Sequence, residues 1–325
     1  MLDLTHRGLR DLRDGVLRTP LDPAETFAED PLRMFRGARF VAQLGFTLAD
    51  GIVDAMRAQA HRAAILSVER ISEELRRLLA SRNPREGVDT LRAGGLLERV
   101  LPEVEAMVGV EQGGFHIYDV YEHSLRTVAL TAARDTVTRW GALLHDVGKP
   151  ATHALAADGR HTFYNHPHVG AEMVRAILAR LRFSNDEIES VARLVQLHLR
   201  PIQYERDAFS DTAVRRLITD SGDLRERMLD IARADTLASS FPSIEAIDEL
   251  AARMARLDTG GEVSHLRAAL DGDEIMAMAG RSAGPWVGRV KRRLEDAVID
   301  GELPAGDAEA ARAWLQSHPE LLSGE

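Results

Sequence analysis

Residues that could bind metal ions are concentrated in one part of this sequence. Eight of its twelve histidines fall within the 83 residues 116–198, and scattered surface histidines would not cluster in this way. At the centre stands the pair His145-Asp146, in the stretch Leu-Leu-His-Asp-Val-Gly-Lys-Pro over 143–150. Further candidate ligands flank this pair at intervals of 21 to 37 residues. They are His123, His166, His198 and Asp235.

The chemistry of these side chains predicts a divalent metal centre. Imidazole and carboxylate groups together suit ions of intermediate hardness, so we expect one or two transition-metal ions (Mn²⁺, Ni²⁺, Co²⁺, Fe²⁺ or Zn²⁺) or Mg²⁺. A carboxylate can bridge two ions roughly 3.5–4 Å apart. Asp146 is the candidate bridge, because the adjacent His145 can bind one of the ions. A bound ion lowers the pKa of its water to about 7 and makes that water a nucleophile toward phosphorus.

Lys149 is a second candidate catalytic residue beside Asp146. It follows the aspartate by one helical turn, from where its ammonium group could meet a phosphate oxygen. The chain has 41 basic residues, of which only Lys149 and Lys291 are lysines. The retention of a lysine in an arginine-rich chain favours this role, and an ordinary surface lysine is the alternative.

Helical periodicity dominates the chain and alternating strand patterns are nearly absent, so we predict an all-α fold. Each candidate ligand lies in or beside a predicted helix, as in helical bundles that direct ligands inward. A long histidine-rich loop over 150–166 could carry part of a ligand site. The predicted helices around the histidine cluster and after it cover 119–134, 137–147, 167–182, 185–198, 211–219, 223–239 and 243–256.

The first part of the chain carries a different set of polar residues. Asp30-Pro31 predicts a helix start, with the aspartate as N-cap and the proline at the first helical position. Gly45 is expected to end this helix, and residues 15–19 before it are strand-like. A stripe of arginines follows one face of the predicted helix at intervals of three. Its members are Arg33, Arg36 and Arg39.

The composition indicates a globular protein without disulfides. The 325 residues include 41 Lys+Arg and 51 Asp+Glu, which gives a formal net charge of −10. This acidity argues against blanket binding to nucleic acid, but not against a local basic groove. The absence of cysteine excludes disulfides, thiol catalysis and Cys-ligated metals. No apolar run reaches the roughly 18–20 residues of a membrane span, and no signal peptide is recognisable, so we expect a cytoplasmic protein without a membrane partner.

The ordered histidine and aspartate motifs over 123–235 resemble the HD superfamily of metal-dependent phosphohydrolases. His168 could take the place of His166, but His166 matches the first histidine of the family's Asn-His-Pro-His pattern. We predict that the other histidines of the cluster, His116, His153, His161 and His168, are loop or surface residues. The resemblance implies one metal held by His123, His145, Asp146 and Asp235, and a second completed by His166 and His198.

The stretch Glu-Asp-Pro-Leu-Arg-Met-Phe-Arg over 29–36 is similar to the neck motif of class II tRNA nucleotidyltransferases, the CCA-adding and poly(A) polymerase family. Many bacterial members of this family carry an HD domain in the corresponding position. Further segments with the same similarity are spread over almost the whole chain. They are 8–19, 39–46, 68–71, 94–97, 101–103, 283–288 and 300–301.

This second resemblance implies a nucleotide site in the neck. Its members would read the Watson–Crick edge of incoming CTP or ATP, since a carboxylate accepts from an exocyclic amine and a guanidinium donates to ring nitrogen or carbonyl groups. The alternative is structural, because Asp30 also suits a helix N-cap and Glu29 lies near the positive end of the helix. The residues concerned are Glu29, Asp30, Arg33 and Arg36.

One departure from the nucleotidyltransferase pattern decides between the possible activities. Polymerisation needs a head domain with a Gly-Ser phosphate loop and an Asp-x-Asp metal site, and we expect nothing before residue 20 to supply them. Asp271-Gly272-Asp273 has the right letters but lies in a helical tail, where we predict a helix cap. We therefore expect either that the head was lost or that it is encoded upstream.

We predict four parts for the chain. Residues 1–22 are a remnant or linker from a missing head, 23–108 a neck and body, 109–242 an HD phosphohydrolase domain, and 243–325 a helical tail. The first functional hypothesis is an HD phosphohydrolase acting on 2′,3′-cyclic, 2′- or 3′-phosphates of nucleotides or RNA 3′ ends.

The alternative is a nucleotidyltransferase portion that binds tRNA and nucleotides without polymerising them. It would hold RNA phosphates with arginine-lined helices over 33–39, 70–77 and 289–293. A separate head is a further candidate partner, and a nucleotidase for free nucleotides is a third, weaker hypothesis.

Overall fold

The computed structural model describes residues 7–113, 117–240, 243–258 and 269–323. Within these ranges the chain is almost entirely helical, which confirms the all-α prediction. The only strands described form two pairs of two residues each. His116, one of the histidines predicted to be a loop or surface residue, lies outside the described residues.

The N-terminal part places a short parallel strand pair beside helices. Val16 pairs with Thr47 and Leu17 with Leu48, so the strand predicted over 15–19 is confirmed over two residues. Gly45 ends the long helix as predicted, because its φ of +68° is a left-handed conformation that glycine adopts at little cost. The short helix α1 was not expected from the sequence. The elements are α1 (Gly8–Asp14), β1 (Val16–Leu17), α2 (Pro23–Glu29), α3 (Leu32–Leu44) and β2 (Thr47–Leu48).

A group of short helices then packs against α3. The close approach of α6 to α3 requires glycine at position 87, since a Cβ there would lie 2.7 Å from that of Ala42. Gly94-Gly95 separates α6 from α7, and Gly95 has a φ of +69°. A 3-10 helix covers Ala60–Ile65. The α-helices are α4 (Ile52–Gln59), α5 (Val68–Leu79), α6 (Pro84–Ala93), α7 (Leu97–Val100) and α8 (Pro102–Glu105).

The histidine-rich region and the segment after it consist of helices and one hairpin. The helices predicted here are confirmed, with ends that shift by a few residues. The predicted loop over 150–166 contains a short helix and two antiparallel strands, in which Ala154 pairs with Thr162. A 3-10 turn covers Gly222–Leu224. The elements are α9 (Val120–Leu130), α10 (Thr136–Leu144), α11 (Lys149–Thr152), β3 (Ala154–Leu155), β4 (His161–Thr162), α12 (His166–Arg180), α13 (Asn185–Leu197), α14 (Leu199–Ile202), α15 (Asp211–Ser221) and α16 (Arg225–Leu237).

The remaining helices build the tail. Asp271 accepts a hydrogen bond from the Glu274 N–H, and Glu274 accepts one in return, so the predicted cap is confirmed as a capping box. Apolar residues such as Trp286 and Leu315 form a core within the tail. The elements are α17 (Glu245–Leu257), α18 (Gly272–Ala279), α19 (Pro285–Ile299), α20 (Ala308–Ser317) and α21 (Glu320–Ser323).

The described residues group into two compact units. One contains the residues up to Ile202 together with Glu226–Ile244, and the other contains Gln203–Arg225 together with the residues from Glu245 onward. All candidate metal ligands belong to the first unit. The division into four functional parts stays a prediction.

Arginines that we expected to line an RNA-binding surface are partly used inside the first unit. Arg39 is buried, and its Nε donates to Glu74 Oε2 at 2.6 Å. Its place in the predicted stripe for RNA phosphates was therefore wrong, because burial against Glu74 in α5 removes its charge from solvent. Arg70 pairs with Asp30 and Arg77 with Glu73, so much of the positive charge along α5 is neutralised.

A bidentate ion pair connects α5 to α13. Arg76 donates to Glu187 through Nη1 at 2.5 Å and Nη2 at 2.9 Å, and its guanidinium lies 3.6 Å from the centroid of the Phe183 ring. The hydrogen bonds from Arg76 lower the pKa of Glu187 from 4.5 to about 2. Because the folded-state pKa is depressed, this pair stabilises the protein above the unfolded pKa and loses its effect as the pH falls toward 2.

Glu187→Gln is expected to lower the free energy of unfolding at pH 7 by about 1–2 kcal/mol, since the pair is about a quarter exposed and partly screened. The difference between this variant and the unmodified chain should shrink between pH 4.5 and pH 2. Urea unfolding across this pH range measures the effect. Glu189→Gln is the control, because that carboxylate is 61% exposed, and an equal loss in both variants would contradict the prediction.

Candidate metal centre

Helix starts and ends in the first unit direct the candidate ligands toward one buried region. Asp119 caps α9 by accepting from the Glu122 N–H, which places His123 on the first turns of that helix. His145 and Asp146 follow the end of α10, and His198 follows the end of α13. His166 is the first residue of α12, and Asp235 lies within α16.

Gly148 allows the turn after Asp146 to approach the start of α12. A Cβ at this position would collide with the carbonyl oxygen of His166 and with the backbone of Gly170. Asn165, the residue directly before α12, has a φ of +65°, a conformation that asparagine tolerates better than most residues. These two backbone features bring the His145-Asp146 turn against His166.

The structure brings the six predicted ligands together as two groups of three. Within each group, one ligand atom from each residue lies within 4.8 Å of the others, and all six residues are buried. From the resemblance to the HD superfamily we expected Asp146 in the first group, with His166 and His198 completing the second. The structure groups the side chains as His123, His145 and Asp235, and as Asp146, His166 and His198.

Asp146 lies between the two groups and contacts both. Its Oδ2 is 3.1 Å from His145 Nε2 and 3.9 Å from His123 Nε2. Its Oδ1 is 3.3 Å from His166 Nε2 and 3.7 Å from His198 Nε2. One oxygen therefore faces each group, which is the arrangement that a bridging carboxylate requires.

Three of the histidines are held in the same way. The Nδ1 of His145 lies 2.8 Å from Ala142 O, that of His166 2.8 Å from Phe163 O, and that of His198 2.7 Å from Val195 O. Each carbonyl belongs to the residue three positions earlier. A proton on Nδ1 that is donated to such a carbonyl leaves Nε2 as the ligating atom and fixes the ring.

The electrostatics of the centre keep its carboxylates ionised. Burial alone would raise the pKa of Asp146, but His145 and Lys149 beside it hold that pKa well below its usual range. Asp235 is likewise depressed despite burial, because His145 and His123 lie next to it. Burial lowers the pKa of His145, yet the two carboxylates outweigh this and raise the pKa to about 9.

His198 behaves in the opposite way to His145. Burial and then the charge of His145 lower the pKa of His198 to about 3, so its imidazole is neutral near pH 7. Neutral imidazole is the form that ligates metals, and His145 has to lose its proton to do the same.

The donor set fits a divalent metal. Within the described residues, His145 Nε2 and Asp146 Oδ1 are buried and have no hydrogen-bond partner. Buried polar atoms without partners are costly unless something else satisfies them, and a bound cation would do so here. Two imidazoles and one carboxylate in each group would hold the ions, as expected for a transition metal.

Of the histidines predicted to lie outside the metal site, the three that the structure describes, His153, His161 and His168, are outside these two groups. His168 directs Nδ1 toward Gln196 Nε2 at 3.2 Å and belongs to neither group, so His166 rather than His168 faces Asp146. His153 and His161 contact each other in the β3–β4 hairpin.

Lys149 is part of the buried centre. It is 6% exposed, which rules out the alternative of an ordinary surface lysine. Its Nζ donates to Asp146 Oδ2 at 2.6 Å and to Gln112 Oε1 at 2.5 Å. Sequence reasoning missed Gln112, because it lies in a glycine-containing link between helices and no motif distinguishes it. A third N–H of Lys149 remains for a phosphate oxygen, and that role stays a prediction.

The predicted nucleotide residues lie around the start of α3. Asp30 Oδ1 accepts from the Leu32 N–H at 3.1 Å, so the aspartate caps the helix as predicted, although α3 begins one residue after Pro31. The Asp30 Oδ2 atom lies 3.1 Å from Arg70 Nη2. Arg33 donates to Glu29 at 2.6 Å and to the Thr26 carbonyl at 3.1 Å.

Arg36 is exposed and lies beside a cavity. Its guanidinium is 6.0 Å from the centroid of the Phe40 ring. The cavity has a volume of about 200 Å³ and is lined by Arg33 and Arg36 together with residues of α2, β1 and α4. Two guanidinium groups thus border an opening beside the capped end of α3, where a polar planar ligand could be recognised.

Comparison with known proteins identifies the chain's relatives. A family model described as the probable RNA and SrmB-binding site of polymerase A matches residues 45–108, and the HD domain model matches residues 120–240. The A-adding tRNA nucleotidyltransferase of Deinococcus radiodurans is 36% identical over 98% of this chain and 74% of its own length. The CC-adding tRNA nucleotidyltransferase of Thermus thermophilus is 36% identical over 95% of this chain and 71% of its own.

A solved structure gives the same result. The crystal structure of the Bacillus stearothermophilus CCA-adding enzyme in complex with CTP has a TM-score of 0.64 and 25% identity, and covers 97% of this chain and 68% of that chain. The helical fold and the paired histidine and aspartate groups define a protein with an HD domain. The chain belongs to the tRNA nucleotidyltransferase family, which confirms both resemblances seen in the sequence.

Across the described residues, no helix combines the length and apolar character needed to cross a membrane.

Asp146→Asn is expected to weaken metal binding strongly, since the amide cannot bridge two ions as a carboxylate does. Loss of a residue that only supports a metal ligand typically weakens binding about 10–100-fold, and the loss here should be larger. Elemental analysis of the purified, metal-loaded chain should find one or two ions before the substitution and a clear loss after it. Asp158→Asn is the control, because that carboxylate is exposed and pairs with Arg160. Unchanged metal content in Asp146→Asn would rule out the bridging role.

Proposed function

We propose that this chain binds tRNA and a nucleoside triphosphate as the neck, body and tail of a tRNA nucleotidyltransferase. Membership of that family, at 36% identity over nearly the whole chain, is the observation that carries the proposal. From the sequence we expected a phosphohydrolase first and this function second, and the relatives favour the second. Nucleotide addition would also need the metal-binding carboxylates of a head domain.

The residues around the start of α3 support nucleotide binding. Arg33 and Arg36 border the cavity beside this helix, and Asp30 carries carboxylate oxygens that can accept from an exocyclic amine. The Arg33–Glu29 ion pair would keep the Arg33 guanidinium oriented before the base arrives. In this proposal the salt bridge from Arg70 positions Asp30 in the same way.

The basic face of α19 supports contacts with RNA phosphates. Arg289, Arg292 and Arg293 are exposed there. Among the described carboxylates, only Asp296 pairs with this cluster, through a long 3.9 Å contact to Arg293. Guanidinium groups without close ion pairs are available to phosphates, and such contacts position an RNA without reading its sequence.

Arg292→Ala is expected to weaken tRNA binding and to reduce the slope of log affinity against log salt concentration by about 1, because one phosphate contact is lost. Fluorescence anisotropy with a labelled tRNA that lacks its 3′ CCA, measured over a range of salt concentrations, gives both quantities. Arg175→Ala is the matched control, because Glu172 and Glu189 already neutralise that arginine. No measurable affinity of the unmodified chain for tRNA would remove the proposal.

A second function, metal-dependent phosphoester hydrolysis, is favoured by the geometry of the two ligand groups. Asp146 offers one oxygen to each group, and the neighbouring imidazoles are held with Nε2 toward it. Divalent ions bound there would supply an acidified water and charge neutralisation at phosphorus. Lys149 would bind a phosphate oxygen through its remaining N–H, and the Gln112 carbonyl would keep the ammonium group in place. RNA 3′ ends and nucleotides with 2′,3′-cyclic, 2′- or 3′-phosphates are the proposed substrates.

Metal-loaded protein is expected to hydrolyse 2′,3′-cyclic AMP, adenosine 2′-phosphate or adenosine 3′-phosphate, and Asp146→Asn should reduce the rate to background. The expectation follows from the loss of the bridging carboxylate. Product chromatography after incubation with Mn²⁺, Ni²⁺ or Co²⁺ measures it, with EDTA and Asp158→Asn as controls. A pure, metal-loaded chain that leaves all three esters intact would argue against hydrolysis while leaving the tRNA proposal untouched.

A further inference from the structure

The β3–β4 hairpin adjoins the metal centre through two contacts. The carbonyl of Phe163, directly after β4, lies 2.8 Å from Nδ1 of the ligand His166. The Nζ of Lys149 lies 5.6 Å from the centroid of the Phe163 ring. Any molecule that fills the space beside Lys149 therefore lies close to this hairpin.

Two histidines of the hairpin form an extended flat surface. His153 Nε2 and His161 Nδ1 are 2.8 Å apart, the ring centroids are 5.0 Å apart, and the planes differ by 11°. These values fit only rings that lie edge to edge in nearly one plane, since face-to-face rings at this separation could not form so short a contact between ring nitrogens. The pair thus forms one nearly flat strip that is wider than two fused rings.

Phe163 stacks against His153 beside the metal centre, in an offset arrangement. Its ring centroid is 5.3 Å from that of His153, with planes 23° apart. We call His153, His161 and Phe163 the aromatic platform. His153 is exposed, and the His161 side chain is 24% exposed, so part of the platform is open to solvent. Nothing in the metal chemistry of Asp146 and the five other ligands requires such a surface.

We propose that the aromatic platform stacks the nucleobase of a phosphoester whose phosphate lies at the two ligand groups. A nucleobase is flat and has a π face, and aromatic side chains bind single-stranded bases in this way with little preference for sequence. Lys149 lies between the two parts, against the Phe163 ring on one side and Asp146 on the other. The proposal rests on the proposed hydrolase function. Under it, the platform makes the enzyme prefer nucleotides or RNA ends over phosphoesters that have no base.

The test compares two phosphomonoesters of secondary alcohols, adenosine 2′-phosphate and glycerol 2-phosphate, of which only the first has a base. Calorimetry in EDTA gives the dissociation constants without turnover. His153→Ala should weaken binding of adenosine 2′-phosphate about tenfold, as for one lost stacking partner, and should leave glycerol 2-phosphate unchanged. In the metal-loaded chain the same variant should raise KM and leave kcat within about twofold, since uniform binding is lost.

Three further variants separate stacking from a structural role. His153→Phe keeps a flat ring and loses the bond to His161, so it should bind like the unmodified chain, whereas His153→Gln keeps a polar group without a ring and should resemble His153→Ala. His61→Ala, at an exposed histidine of the same unit, is the matched control. Equal weakening of both phosphates, loss of affinity in His153→Phe, or no binding of adenosine 2′-phosphate at millimolar concentration would each overturn the platform. If neither ester is hydrolysed, the proposed hydrolase function is overturned but the platform is not, because the platform is tested by the dissociation constants.

Discussion

The burial of one carboxylate between two groups of histidines is the constraint on which the centre depends. Asp146 is 1% exposed, and removing an ionised carboxylate from water costs several kcal/mol unless positive groups and hydrogen bonds surround it. His145 and Lys149 supply that charge, and helices from distant parts of the chain have to converge to place the remaining ligands. The turn at Gly148 and the start of α12 are shaped by this requirement.

The arginines of this chain fall into two kinds. Arg39 and Arg76 are fixed by glutamates and join helices within the first unit, where their bidentate or buried geometry is worth more than a surface ion pair. Exposed arginines such as Arg36 and Arg292 keep their donors for other molecules. Both the nucleotide and the tRNA proposals rest on these exposed arginines. The spacing of arginines in the sequence alone does not distinguish the exposed arginines from the ion-paired ones.

Much of the site could be predicted from the sequence, because its signals are local. The histidine and aspartate motifs identified the six candidate ligands, and Asp30, Gly45 and Asp271 marked helix ends through their own backbone and side-chain chemistry. The role of Gln112 could not be predicted, since a single glutamine in a link gains a function only when the fold brings Lys149 against it.

The sequence by itself determined the all-α class, the family and the identity of the residues able to hold metal, because periodicity and ordered motifs are properties of the chain. Only the tertiary structure decided how the six candidate ligands are grouped, which oxygen of Asp146 faces each group, and that Lys149 is buried. The same holds for the coplanar pair of His153 and His161. These features depend on side-chain directions that are set by packing between helices and a hairpin far apart in sequence, and linear spacing carries no information about such directions.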